Sequence, residues 1–260
     1  MEHPVTQRDC LHISESNGVV EITLSRPAER NAIDSQMVAE LHAVCGELET
    51  VPRPAIITGG SAGVFAAGAD IAELRQRNRD DALAGINLNL FSRVRALPMP
   101  TIAAIDGYAL GGGAELAYAC DLRIATPRTV FGQPEPRLGI IAGAGATHRL
   151  VRLVGESVAK QVLLAGAQIN ADRALELGLV HRVVEPADLL ATAHQLAEQM
   201  LRCSPIALRM TKMAVDSAPE AHPHIDLAVQ ALLFEDDEKY RRMAEFLNRN
   251  TTTSESRPAQ

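Results

Sequence analysis

GYALGGGAELAYACDLRIATPRTVFGQPEPRLGI runs from Gly107 to Ile140, and its reading decides the fold and the chemistry of this chain. Glu115 stands just behind the triple glycine Gly111-Gly112-Gly113. Glu135 stands in the turn Gly132-Gln133-Pro134-Glu135-Pro136, after a short apolar run. Residues 114–119 read as a short helix that begins at the glycines, and 122–125 read as a strand. Upstream lies a second small-residue loop, Phe65-Ala66-Ala67-Gly68-Ala69-Asp70-Ile71. These segments supply two carboxylates for proton transfer and two glycine- and alanine-lined backbone stretches whose N–H groups suit a developing oxyanion. The combination points to carbonyl-activated chemistry at a thioester, without a metal.

Outward from this stretch, strands and helices alternate. Residues 10–14 and 19–25 alternate in polarity around Asn17-Gly18 and read as a hairpin. Met37, Leu41, Val44 and Leu48 recur at helical spacing over 35–49, with Asp34 or Ser35 as cap. Residues 55–58 and 101–105 read as buried strands. Residues 80–97 read as one helix, with Leu83, Leu90 and Val94 on one face, stopped by Pro98 and Pro100. From Ala146 the pattern is mostly helical: 157–164, 172–177, 188–201 and 205–216, with 179–184 a last strand and 222–247 one long helix. No internal repeat is visible. The class is α/β followed by α.

Composition narrows the function. The 260 residues suit one large domain, or a domain with an appendage. Aromatics make up 3% and there is no Trp, so a pocket here is expected to be aliphatic. A net charge of -7 without a basic stripe excludes a general nucleic-acid footprint. Cys10, Cys45, Cys120 and Cys203 are widely spaced, and the eight histidines form no ligand pattern, so no metal site is expected. The N-terminus lacks an apolar signal region, and Asp106 and Glu115 interrupt the longest apolar run. The expectation is a reduced, cytoplasmic protein with no membrane partner.

The segments 63–71 and 107–150, in this order and with both glutamates in place, resemble the crotonase superfamily, most closely its enoyl-CoA hydratases. Arg26-Pro27-Ala28-Glu29-Arg30-Asn31-Ala32 is similar to that family's early CoA-contacting turn, and Phe234, Met243 and Phe246 repeat its C-terminal spacing. The resemblance implies a spiral of repeated ββα turns over 1–200 and a helical trimerisation region over 201–248. It implies a homotrimer, or a homohexamer built as a dimer of trimers. The stretch 249–260, polar and without periodicity, reads as a disordered tail.

The resemblance also assigns roles. Glu115 and Glu135 become the acid–base pair for syn hydration of a trans-2-enoyl-CoA, with Glu115 activating water and Glu135 protonating the α-carbon. The backbone N–H groups of Ala69 and Gly112 become the oxyanion hole. Without Glu115 and Glu135, Gly111–Gly113 would read as a tight turn with close helix packing; beside the two glutamates it reads as the oxyanion segment. Gly143 is placed at the water, and Ala28, Arg30, Ala67, Asp70, Ile71 and Phe234 at CoA or the acyl chain, with Arg26 or Arg30 facing a phosphate. No cofactor is implied, because coenzyme A is part of the substrate. The chain departs from the family at Ala142, Ala146 and His148, at Arg241-Arg242, and at Asn250–Thr253, where a basic end is usual. A double-bond isomerase, a carnitinyl-type dehydratase, a ring-forming lyase, a non-catalytic acyl-CoA-binding subunit and an RNA-binding relative are the competing readings. Glu115 speaks against the isomerase and acidity against RNA.

Overall fold

Short apolar strands followed by glycine turns build two sheets, and helices such as Ser35–Thr50, Ile86–Arg95 and Gly112–Ala119 add their buried faces to the core. The structure, a computed structural model, describes residues 6–60 and 63–255. It divides into two compact units after Met200.

In the first unit, β1 (Thr6–Gln7), β2 (Leu11–Ser16) and β3 (Val19–Leu24) form an antiparallel ribbon, and α1 (Ser35–Thr50) follows. The Asp34 side chain caps α1 by accepting from the Met37 N–H at 2.8 Å. Three turns of ββα then wind on. The first is β4 (Ala55–Thr58), β5 (Val64–Ala66) and the helices α2 (Ile71–Leu74), α3 (Arg79–Ala84) and α4 (Ile86–Arg95). The second is β6 (Thr101–Ile105), β7 (Tyr108–Leu110) and α5 (Gly112–Ala119). The third is β8 (Leu122–Ala125), β9 (Val130–Gly132) and α6 (Ala146–Val154). After α7 (Glu156–Ala165) come β10 (Ile169–Asn170), α8 (Ala171–Glu176), β11 (Arg182–Val183) and α9 (Leu189–Leu201).

Each turn adds one strand to each sheet. The larger sheet runs β1-β2-β3-β4-β6-β8-β11, parallel from β3 onward, and the smaller runs β10-β9-β7-β5. Burial explains the uninterrupted apolar strands. Ile57, Ala103, Ile105 and Ala125 point into the main core, while Ile56, Ile102, Ala104 and Ile124 meet Leu189, Ala193 and Ala197 of α9.

The turns form the expected spiral of ββα units, with differences in detail. The span 80–97 is broken at Gly85, whose φ of 63° is left-handed, so two helices stand where one was expected. The second sheet was not legible either, because its strands are only two or three residues long. The expected strand over 179–184 contracts to β11.

The spiral's turns stack so closely that some positions exclude a side chain. A Cβ on Gly113 would lie 2.3 Å from the Ala66 carbonyl oxygen and 2.7 Å from the Ala66 Cβ, so α5 rests directly on β5. Gly113→Ala is therefore expected to lower stability by about 1–3 kcal/mol, the usual cost of forcing an extra methyl into a packed site. A shift of the urea midpoint checks this, and an unchanged midpoint contradicts it.

The second unit is helical: α10 (Pro205–Asp216), α11 (His224–Phe234) and α12 (Asp237–Glu255). Ser204 caps α10 and donates from Oγ to Glu238 Oε2 at 3.0 Å, tying α12 to the start of α10. Two expectations are corrected here. The helix expected over 222–247 is interrupted at Glu235-Asp236. The polar stretch read as a disordered tail from residue 249 continues α12 as far as Glu255, and residues 256–260 lie outside the described residues. Among the described residues, no helix is long and apolar enough to cross a membrane.

Candidate active site

Glu115 occupies the first turn of α5, a helix buried along its whole length. Its side chain is only 3% exposed, yet it is held. Oε1 accepts the Ala144 N–H at 2.8 Å and the Ala146 N–H at 3.0 Å. Burial pushes the carboxyl above its ordinary value, opposed by the Ala146 and Ala144 N–H groups and by the charge of Arg149. Both donors are backbone groups, so the unusual Ala146 side chain leaves them in place. Gly145, between them, has a φ of 130° that only glycine adopts comfortably.

Glu135 opens a short 3-10 turn over Glu135–Leu138 and is 8% exposed, so it is no surface turn residue. Burial first, then the neighbouring Glu115 carboxylate, raises its pKa from 4.5 to about 7, against the pull of its own backbone N–H. Gly111 explains the close approach. Its φ is 50°, and a Cβ there would lie 2.6 Å from Glu135 Oε1. With its amide turned to satisfy its neighbours, Gln133 donates to Glu135 Oε2 at 2.9 Å.

Two backbone donors face the same space. Ala69 pairs with Ile33 in a parallel bridge, which uses the Gly68 carbonyl and the Asp70 N–H. The Ala69 N–H points the other way and donates to no protein group among the described residues. The Gly112 N–H, at the start of α5, is likewise unpaired among them. A Cβ built on Gly112 would lie 3.4 Å from the Ala69 nitrogen, so the two groups are neighbours.

A cavity of about 560 Å³ gathers these parts. Ala67, Ala69, Ile71, Gly112, Glu115, Glu135 and Gly143 all line it. Its remaining wall is largely aliphatic, including Leu74, Leu88, Leu138 and Ile140, and no aromatic lines it among the described residues.

A family model described as enoyl-CoA hydratase/isomerase matches residues 14–252. The chain belongs to the enoyl-CoA hydratase/isomerase family. It is 40% identical over 227 residues to the short-chain-enoyl-CoA hydratase of Clostridium acetobutylicum, covering 85% of this chain and 87% of that protein. It is also 40% identical over 250 residues to the 2,3-dehydroadipyl-CoA hydratase of Escherichia coli K12, covering 93% and 96%. Among solved structures, the enoyl-CoA hydratase of Bacillus anthracis superposes with a TM-score of 0.87 at 31% identity, covering 93% of this chain and 97% of that one.

Within this enoyl-CoA hydratase/isomerase fold, four expected contact residues do not line the cavity. Ala28 and Arg30 are exposed on the turn around Pro27–Glu29, where Arg30 has a φ of 55° and its carbonyl accepts the Ala67 N–H. Asp70 is occupied as the cap of α2, accepting from the Ala72 and Glu73 N–H groups. Phe234 is a half-exposed residue of α11 in the second unit. Arg26 is engaged too, pairing with Asp34 at 3.1 Å and Asp70 at 3.6 Å, so of the two arginines Arg30 keeps its side chain unpaired among the described residues. Another residue of the early turn is structural. Asn31, buried at φ 55°, donates to the carbonyls of Gly59, Val64 and Phe65 and fixes the loop that carries Ala69.

The site also contains residues that sequence reasoning passed over. Asn87 lines the cavity from the buried face of α4, one position short of Leu88 and in phase with Leu90, Phe91 and Val94. A polar residue on an apolar stripe was the available signal. The Ala144 and Ala146 amides gave none, because a backbone donor leaves no mark in the side-chain pattern.

The raised pKa of Glu135 has a stability consequence. Below the unfolded value of 4.5 both states hold the proton, and between 4.5 and about 7 only the folded state does. Stability therefore falls as pH rises through that window. Glu135→Gln is expected to flatten the fall and to unfold at higher urea than wild type at alkaline pH. Identical pH profiles for the two proteins contradict a buried, proton-holding Glu135.

Proposed function

We propose that the protein catalyses reversible syn hydration of a trans-2-enoyl-CoA to a 3-hydroxyacyl-CoA. The observation that carries this reading is the pair of buried carboxylates on the same cavity as two unpaired backbone N–H groups. The thioester oxygen sits on the Ala69 and Gly112 N–H groups. Gly112 also begins α5, whose positive dipole end favours the charge that develops there.

Water lies between Glu115 and Glu135. Ionised Glu115, already an acceptor of two N–H bonds, takes a proton from the water as its oxygen attacks the β-carbon. The electron pair of the double bond moves onto the thioester oxygen, giving an enolate. Glu135, whose raised pKa favours its acid form, protonates the α-carbon. The enolate collapses and the proton on Glu115 passes to Glu135 through solvent or product. The pair titrates as a unit, so its two macroscopic pKa values belong to both groups. The Gly143 backbone flanks the water, the aliphatic wall takes the acyl chain, and Arg30 is placed to meet a phosphate of CoA near Ala28 and Asp70. No cofactor enters.

An isomerase needs only one proton-shuttling carboxylate, so a buried and doubly held Glu115 favours hydration. A spectrophotometric screen of enoyl-CoA thioesters of graded length and branching tests the reading. Turnover of at least one with uptake of water is expected, and binding without turnover across the series contradicts it.

Assembly is part of the same proposal. In the second unit, Leu227, Leu232, Phe246 and Leu247 are each about two-thirds exposed, large apolar side chains that an interface would cover. A trimer or hexamer is expected in analytical ultracentrifugation at micromolar concentration, and a clean monomer contradicts it. A cytoplasmic site of action accords with the four cysteines forming no disulfide among the described residues, three of them being buried.

A further inference from the structure

Asn87 is a side-chain amide on the cavity wall, 9% exposed, in the first turn of α4. Its Oδ1 accepts from Arg77 Nη1 at 3.3 Å. Arginine can only donate, so this contact identifies the oxygen and leaves Nδ2 as the free end. That end donates to no group among the described residues. Among the described residues the sealed side-chain atoms without a partner are Arg53 Nε and Tyr118 Oη; Asn87 Nδ2 instead opens on the cavity, where an acceptor on a ligand can reach it.

Its position names the partner. The point where a Cβ on Gly112 would sit lies 3.4 Å from the Ala69 nitrogen and 3.6 Å from Asn87 Nδ2. The Gly112 nitrogen is adjacent by covalent geometry. Three N–H-bearing nitrogens therefore surround one small volume of cavity, and two of them are the unpaired backbone donors already described.

We propose that Asn87 is a third, side-chain donor to the thioester oxygen, completing an oxyanion site whose other donors are the Ala69 and Gly112 N–H groups. Arg77 acts as its positioning residue. It holds Oδ1, so the amide cannot turn its acceptor toward the developing charge. The assignment rests on the hydration reading and adds to it: a charge spread over the enolate oxygen meets three donors, not two.

The test compares two CoA thioesters that differ in charge at the oxygen. Acetoacetyl-CoA forms an enolate readily, and butyryl-CoA does not. Asn87→Asp keeps the acceptor for Arg77 and the side-chain shape while replacing the donor by an acceptor. Asn87→Leu keeps the volume and removes both. Each variant is expected to weaken acetoacetyl-CoA binding by about 10- to 100-fold, as loss of a hydrogen bond to a charged group does, and butyryl-CoA binding by less than about threefold. The kcat for crotonyl-CoA falls in parallel, with KM changed little. Wild-type turnover of crotonyl-CoA tests the hydration reading separately. With that turnover present, equal losses for the two ligands in both variants, or no loss in either, overturn the role of Asn87 alone.

Discussion

Glu115→Gln and Glu135→Gln are each expected to lower kcat for an enoyl-CoA by at least about 10²-fold, within the range that general acid–base groups contribute. The substitutions are mild for the fold. Gln at position 115 keeps an oxygen for the Ala144 and Ala146 N–H groups, so the loop and α5 stay joined. What it loses is basicity. Gln at position 135 keeps the shape that fits against Gly111 but cannot cycle a proton. On the proposed mechanism, in which the two carboxyls act on one water, the double variant is expected to be little worse than the poorer single one. Wild-type-like turnover in either folded single variant contradicts the pairing.

The second large effect separates two adjacent glycines. Gly113 is required by packing, but Gly112 is not. A Cβ on Gly112 meets nothing nearer than the Ala69 nitrogen at 3.4 Å, an ordinary contact, and its φ lies outside the left-handed region. Gly112→Ala is therefore expected to melt near wild type, and Gly112→Val to be tolerated nearly as well. Both add bulk in the space between the two unpaired N–H groups. Turnover is expected to fall by about 10²–10³-fold, the loss typical of disabling one oxyanion donor, and more for Val than for Ala. Normal turnover in Gly112→Val with an unchanged melting temperature contradicts the oxyanion role. Gly113→Ala gives the opposite pattern, with stability lost first, so the pair distinguishes a packing glycine from a ligand-facing one.

What the sequence made legible follows the physics of each feature. The cap at Asp34, the hairpin at Asn17-Gly18 and the buried strands 55–58 and 101–105 carry strong local signals and match the structure closely. The spiral does not, because strands of two or three residues such as β7 show no periodicity. Their sheet exists only through stacking of one turn on the next. The split of the 80–97 helix depends on one left-handed glycine, which a propensity reading passes over. α12 continues past Asn248 through Asn250 and the threonines after it, against their weak local preference for helix.

The candidate site was legible at Glu115, Glu135, Ala69 and Gly112 through the resemblance to a known family, since no periodicity marks a backbone N–H. The early turn shows the converse. Asn31, within the motif, makes the hydrogen bonds of a structural knot, and Asp70 in the small-residue loop serves as a helix cap. Asn87 breaks the apolar stripe of α4 in the sequence, but its place on the cavity wall shows only in the assembled fold.

The central claim is that this cavity adds water across a conjugated thioester. The most direct measurement incubates the wild-type enzyme with crotonyl-CoA in ¹⁸O-labelled water and identifies the product by mass spectrometry alongside the loss of enoyl absorbance. The account predicts 3-hydroxybutyryl-CoA carrying one labelled oxygen, formed at a rate that Glu115→Gln and Glu135→Gln each abolish nearly completely. Crotonyl-CoA recovered unchanged, or a double bond moved along the chain with no label taken up, would contradict it.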